Sequence, residues 1–251
     1  MTIKKLNFTF AYSFSFRVVS AVRGIYEHEP YLIDFIDPYS ASFCRKISVP
    51  QKNTLLHDLI RDLNYIDWEW VVGHTNEEGL SELSFLFEEA NIPIPDWLNE
   101  REFSNHKMKI YPLLEKASEI VTESAFHLLF SDRDFLFSFQ NFVATAISTM
   151  GKAEFPGVIV KKGVVKRPDY LPVWLKNAIF HRDKGRCQLC FRDLTGLLTP
   201  NSSGDIHLDH MLPLEHSGSN DPTNFQLTCK ECNLNKGAKI QYQKPVTFSF
   251  W

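Results

Sequence analysis

The chain has 251 residues, 44% of them hydrophobic and 23% charged, enough for one large or two ordinary soluble domains. No apolar run reaches the length of a membrane span and no leader pattern is visible, so the expectation is a cytoplasmic protein with no membrane partner. The net charge of −3 hides an asymmetry: residues 1–160 hold 14 Lys and Arg against 22 Asp and Glu, and residues 161–251 hold 13 against 8, giving −8 and +5. Any nucleic-acid grip therefore belongs to the last third.

Residues 7–18 place Phe8, Phe10, Tyr12, Phe14, Phe16 and Val18 at every second position. That spacing predicts a strand, and with the Glu29-Pro30 and Asp37-Pro38 turns a small N-terminal hairpin or sheet. Helical spacing takes over afterwards. Leu55, Leu56, Leu59, Ile60 and Leu63 share a face. Thr75 and Glu78 form a candidate capping box before Leu80, Leu83, Leu86, Phe87 and Ala90. Leu113, Leu114, Ala117, Ile120 and Val121 mark a further helix, and Phe135, Phe139, Phe142, Val143, Ala146, Ile147 and Met150 another. Such stripes are core rather than ligand contacts. Packing is also the expected role of Trp68 and Trp70, and Cys44 reads as a small apolar filler. His28, His57, His74, His106 and His127 lack metal-like spacing.

The breaker-rich Gly151-Lys-Ala-Glu-Phe-Pro156-Gly157, followed by Lys161, Lys162, Lys166 and Arg167, marks a domain boundary near residue 160. The fold class expected is α+β. Residues 1–160 form an acidic, mainly helical domain for recognition, regulation or partner binding, self-association included. Residues 161–251 form a small unit in the order helix (Pro172 to Asp183), knuckle, strand (Asp205 to Asp209), loop, strand (Phe225 to Thr228) and helix (from about Lys230).

The chemistry is concentrated between Cys187 and Lys236. Cys187-Gln-Leu-Cys190 and Cys229-Lys-Glu-Cys232 are two tight thiol pairs 38 residues apart. Two residues between the thiols of a pair let both reach one ion, and four sulfurs make a closed structural zinc site with no place for a reactive water. Catalysis must then come from residues inside the bracket. Asp209 and His210, adjacent on a strand, diverge. Asp209 and Asn233 offer oxygens suited to Mg2+ or Mn2+. His210 is placed to take a proton from water, and Asn224 to accept a hydrogen bond from its far ring nitrogen. Lys236, with Arg186 and Lys239, is expected to meet phosphate. His207, two residues before Asp209, supports the site. Taken singly, Asp-His pairs and asparagines are common, and capping the helix is the alternative role for Asn233.

Four stretches together resemble the HNH nucleases: Arg182-Asp-Lys-Gly-Arg-Cys187-Gln-Leu-Cys190, Leu208-Asp209-His210-Met-Leu-Pro213-Leu, Asp221-Pro-Thr-Asn224-Phe-Gln-Leu-Thr-Cys229 and Cys232-Asn233-Leu-Asn-Lys236-Gly. The resemblance covers about Pro172 to Lys239. It implies two strands and a helix around one divalent metal, with His210 as general base, Asp209 and Asn233 as metal ligands and Asn224 as the asparagine that orients the base. Many members carry histidine where this chain has Asn233, an accepted variant that tilts the preference toward Mg2+ or Mn2+. The implied reaction is phosphodiester hydrolysis in DNA, one cut per visit, in a setting such as restriction or anti-phage defence. Two alternatives stand beside it. One is a non-catalytic zinc module that binds nucleic acid or protein. The other is a nuclease effector governed by a partner protein.

Overall fold

The computed structural model describes residues 9–24, 35–73, 77–99, 103–196 and 206–242. Phe8, His28, Glu29-Pro30, His74, Thr75 and Asp205 lie outside these residues. Among the described residues helix predominates: α1 (Thr9–Val22), α2 (Ala41–Ser48), α3 (Leu55–Gly73), α4 (Glu77–Glu89), α5 (Phe103–His106), α6 (Tyr111–Ser131), α7 (Arg133–Thr149), α8 (Val173–Arg182) and α9 (Lys230–Lys236). Two small antiparallel pairs accompany them, β1 (Ile159–Lys161) with β2 (Val164–Val165), and β3 (Ile206–His210) with β4 (Phe225–Cys229). No helix among the described residues is long and apolar enough to cross a membrane.

The predicted N-terminal strand is a helix. Alternation of Phe10, Phe14 and Val18 with other aromatics also satisfies a four-residue repeat, and the fold uses that repeat. Ala11, Phe14, Val18 and Ala21 are buried on one face of α1, while Tyr12 and Phe16 are 62% and 64% exposed. A period-two pattern would bury all six aromatic and valine positions; a helix buries those that recur at three and four. The helices read from apolar spacing lie where expected. Leu55, Leu56, Leu59, Ile60 and Leu63 are all buried in α3, and Phe135, Phe139, Val143 and Ile147 in α7. Asp132 caps α7 by accepting from the Phe135 N–H at 3.0 Å. Trp68 is buried and stacked on Phe10 with ring centroids 5.5 Å apart, whereas Trp70 is exposed.

By contacts the chain forms two compact units. One is Met1–Tyr26 with Leu56–Leu129, and the other is Glu27–Leu55 with Phe130–Trp251. The charge boundary near residue 160 does not follow this division, because α7 packs its polar buried groups on the segment leading into β4. Gln140 donates to Thr223 Oγ1 at 2.7 Å and accepts from Ser219 Oγ at 2.8 Å. The same unit draws in α2, whose Ile47 carbonyl accepts from the Asn220 N–H at 2.8 Å. The N–H of Leu55, at the start of α3, donates to Asp221 Oδ2 at 2.8 Å.

The β3–β4 register pairs His207 with Thr228, Leu208 with Leu227, Asp209 with Gln226 and His210 with Phe225. Because side chains alternate between faces, His207, Asp209, Gln226 and Thr228 share one face and Leu208, His210, Phe225 and Leu227 the other. The apolar core of this part joins Leu175 and Ile179 of α8 to Leu189, Leu194, Phe225 and Leu227, with Cys187 and Cys229 among them.

Candidate active site

The cysteines come together first. The Sγ atoms of Cys187, Cys190, Cys229 and Cys232 all lie within 4.8 Å of one another, and Cys190 and Cys229 are 3.9 Å apart. A tetrahedral zinc–thiolate site with bonds of about 2.3 Å has sulfur–sulfur edges of about 3.8 Å. The donor set therefore fits a structural zinc in both chemistry and span. Burial pushes the Cys187 thiol up, but the backbone N–H groups of Cys229, Cys190 and Leu189 outweigh it and hold the thiol below its ordinary value. Burial pushes Cys232 up. Cys229 ends β4, caps α9 through a 3.5 Å contact from the Cys232 N–H, and contributes a sulfur.

Arg182 and Asp183 lock the knuckle to the hairpin. Asp183 accepts from the Leu227 N–H at 2.7 Å and from Arg182 Nε at 2.8 Å, while Arg182 Nη2 donates to the Phe225 carbonyl at 2.6 Å. These contacts fix β4, and with it the strand that carries Asp209 and His210.

Asp209 and His210 diverge as their adjacency requires. On one face, Lys236 Nζ lies 3.2 Å from Asp209 Oδ1 and 3.1 Å from Oδ2, and Gln226 Nε2 donates to Oδ2 at 2.9 Å. Lys236 is 1% exposed and also donates to the His210 carbonyl at 2.8 Å. This corrects the expectation that Lys236 meets phosphate. Its stem lies along the hairpin and its charge is taken up by Asp209. Asn233, one turn earlier on α9, places Nδ2 2.9 Å from His207 Nδ1. The helix thus runs along β3 with Asn233 beside His207 and Lys236 beside Asp209. Asp209 offers hard oxygens to a divalent cation, with Asn233 and His207 alongside, and such an ion would share the carboxylate with the Lys236 ammonium.

On the other face, His210 packs against Phe225 at 4.5 Å between ring centroids and is 6% exposed. Its Nε2 lies 3.0 Å from Asn220 Oδ1. Asn224, expected as its partner, instead ties the loop. It accepts from the Leu212 N–H at 2.9 Å and donates to the Leu212 and Ser219 carbonyls at 2.9 and 2.8 Å. Gly218 belongs to the same tight passage, since a Cβ there would sit 1.9 Å from the Leu212 carbonyl oxygen.

Asn220 decides the tautomer. Its Nδ2 donates to the Ser48 and Lys166 carbonyls at 2.9 and 2.8 Å, so its Oδ1 faces the ring and Nε2 of His210 carries the proton. Nδ1 is left as the lone-pair nitrogen. Burial lowers the imidazole pKa to about 3, against the opposing Asn220 hydrogen bond and with smaller pushes from the Arg167 and Lys236 charges. The ring is neutral throughout the working pH range.

Residues 187–239 match the family model described as HNH endonuclease. No curated protein and no solved structure matches the chain. The match begins at Cys187 and contains the zinc bracket, Asp209, His210, Asn224, Asn233 and Lys236. For this segment the match points to a nuclease-type function, which implies a nucleic-acid substrate.

Several site residues escape sequence reasoning. Gln226 was legible in principle, because pairing the two strands through the 211–224 loop sets it opposite Asp209. Asn220 is one asparagine among several, and only the fold brings Ser48 and Lys166 to it. Arg133, whose Nη2 donates to Gln226 Oε1 at 2.6 Å, sits 93 residues away and carries no local signal. Arg186, half-buried with a 3.4 Å contact to the Phe191 carbonyl, and Lys239, exposed, are the remaining expected phosphate contacts.

Proposed function

We propose that the protein is a metal-dependent endonuclease that hydrolyses phosphodiester bonds in DNA. The observation that carries this reading is His210, buried and neutral, with Nε2 held by Asn220 and Nδ1 left to accept a proton, on the strand that also presents Asp209. Nδ1 takes a proton from the attacking water. The burial that keeps the ring neutral also makes it a weak base in the free protein. The negative phosphate of a bound substrate stabilises the imidazolium and strengthens it. Asp209 and Asn233 would hold Mg2+ or Mn2+, with His207 beside Asn233. When bound, that cation supplies charge stabilisation at the scissile phosphate and leaving oxygen. The cysteines hold a separate zinc with a structural duty.

The phosphate-contacting cations in this reading are Arg186, Lys239 and Arg167. Arg167 is exposed, and its charge acts on His210. It follows Lys166, whose carbonyl anchors Asn220. The acidic residues 1–160 serve recognition, regulation or partner binding, and a defence role is one setting that suits such a division. The test is incubation of supercoiled plasmid with Mg2+ or Mn2+. Nicking by wild type that is lost in His210→Ala supports the reading. Equal nicking by both, or tight DNA binding with no cleavage in any divalent ion, gives way to a non-catalytic zinc module.

A further inference from the structure

Arg133 is 5% exposed, yet its guanidinium is poorly provided for. Its Nε and Nη1 have no hydrogen-bond partner, and Nε lies 4.0 Å from Asp183 Oδ1. Its remaining contacts are Gln226 and the Tyr242 ring, 5.6 Å from the guanidinium carbon. A buried charge with partial pairing is unfavourable, because the partners it has do not replace the hydration it loses. Burial accordingly lowers its pKa, with Asp183 opposing.

The one close hydrogen bond of Arg133 leads to Asp209. A guanidinium only donates, so the Gln226 atom 2.6 Å from Nη2 is Oε1. That orientation turns Nε2 toward Asp209 Oδ2, 2.9 Å away, and an ionised carboxylate only accepts. The two ends agree, and the amide of Gln226, fully buried, has one orientation. The positive charge on one side polarises the amide and strengthens its donation on the other. Lys236 bridges both oxygens of the same carboxylate. Asp209 is thus gripped from β4 and α9, and the β4 grip is backed by α7, which lies outside the segment 187–239.

We propose that Gln226 and Arg133 are positioning residues for Asp209, so that α7 is a working part of the divalent-metal site. This rests on the reading of Asp209 as a metal ligand. The experiment uses the full-length, zinc-loaded chain and measures Mn2+ binding directly by electron paramagnetic resonance of free Mn2+, beside plasmid nicking. Arg133→Met and Gln226→Met are each expected to weaken Mn2+ binding roughly tenfold, the scale on which groups behind a metal ligand act. The double variant is expected to be no weaker than either alone, since both interrupt one path, and Arg133→Lys recovers part of the loss. Zinc content stays at wild-type level. Unchanged Mn2+ affinity in a folded Arg133→Met protein, losses that multiply in the double variant, or a wild type that binds no Mn2+ overturns the proposal. If Arg133→Met does not fold, Gln226→Met and Arg133→Lys carry the same comparison. Wild type that binds Mn2+ through Asp209, sensitive to Gln226→Met, but nicks nothing keeps this inference and removes the nuclease reading. Nicking with Mn2+ affinity indifferent to both residues does the reverse.

Discussion

Asn220→Ala is the substitution with the widest consequences. Asn220 is fully buried, and its side chain serves three groups: the Ser48 carbonyl at 2.9 Å, the Lys166 carbonyl at 2.8 Å and His210 Nε2 at 3.0 Å. Truncation leaves all three without this partner, His210 in a buried place and the two carbonyls in part-buried ones. Each buried polar group so stranded is unfavourable by about 1–3 kcal/mol. Allowing one water to satisfy part of the set, the loss is about 3–5 kcal/mol. Set against a typical total of about 5–15 kcal/mol, this is a large fraction, equivalent to a fall in Tm of roughly 10 °C for a chain of this size. Urea unfolding followed by circular dichroism reads it as a lower midpoint at unchanged slope. At a temperature where the variant is folded, nicking is expected to fall by about a hundredfold or more, the scale of general-base catalysis, because nothing fixes which nitrogen of His210 is protonated. A stability loss below about 1 kcal/mol with wild-type nicking would refute the assignment of Asn220 as the residue that holds the base.

Lys236→Met is expected to lower stability by about 3 kcal/mol, because it removes the fully buried ammonium that pairs the Asp209 carboxylate and leaves that charge with Gln226 alone; a lysine serving only as a surface phosphate contact would leave the urea midpoint unmoved. Removal of zinc by a strong chelator is expected to unfold α9 and abolish nicking, with recovery on zinc addition, read by circular dichroism and metal analysis; retention of the α9 signal after zinc loss contradicts a structural site. Stability is expected to fall with acid between pH 6.5 and 3. The folded imidazole of His210 titrates at about 3 and the unfolded one near pH 6.5, so only the unfolded state gains a proton in that window, at up to about 1.4 kcal/mol per pH unit. His210→Gln is expected to flatten that slope, and an unchanged slope excludes a buried neutral His210.

The sequence carried the four-cysteine cluster, the order of elements from Val173 to Lys236 and most helices, because those features are local. Thiol spacing within a knuckle, and apolar recurrence at three and four positions, depend on neighbours only. It misled at α1, where phenylalanine at every second position satisfies two periods at once and the packing partners decide between them. It also misled at Lys236 and Asn224. Both are named by motif, but burial and hydrogen-bond partners are properties of the closed loop. The roles of Asn220, Gln226 and Arg133 depend on segments distant in the chain and have no signature within reach of a spacing rule.

The loop that holds His210 has its anchors far upstream. Asn220 meets Ser48 across 172 positions and Asp221 meets Leu55 across 166. Such closures are slow to form, since the chain between the two ends must be ordered before either contact contributes. During synthesis the first partners emerge long before the loop does, and the zinc bracket is complete only when Cys232 has been made. A partly made chain therefore has no assembled His210, and a chain interrupted before the last knuckle never acquires one. The pocket around His210 is therefore assembled only after Cys232 has been made, a timing set by where the contacts lie along the chain.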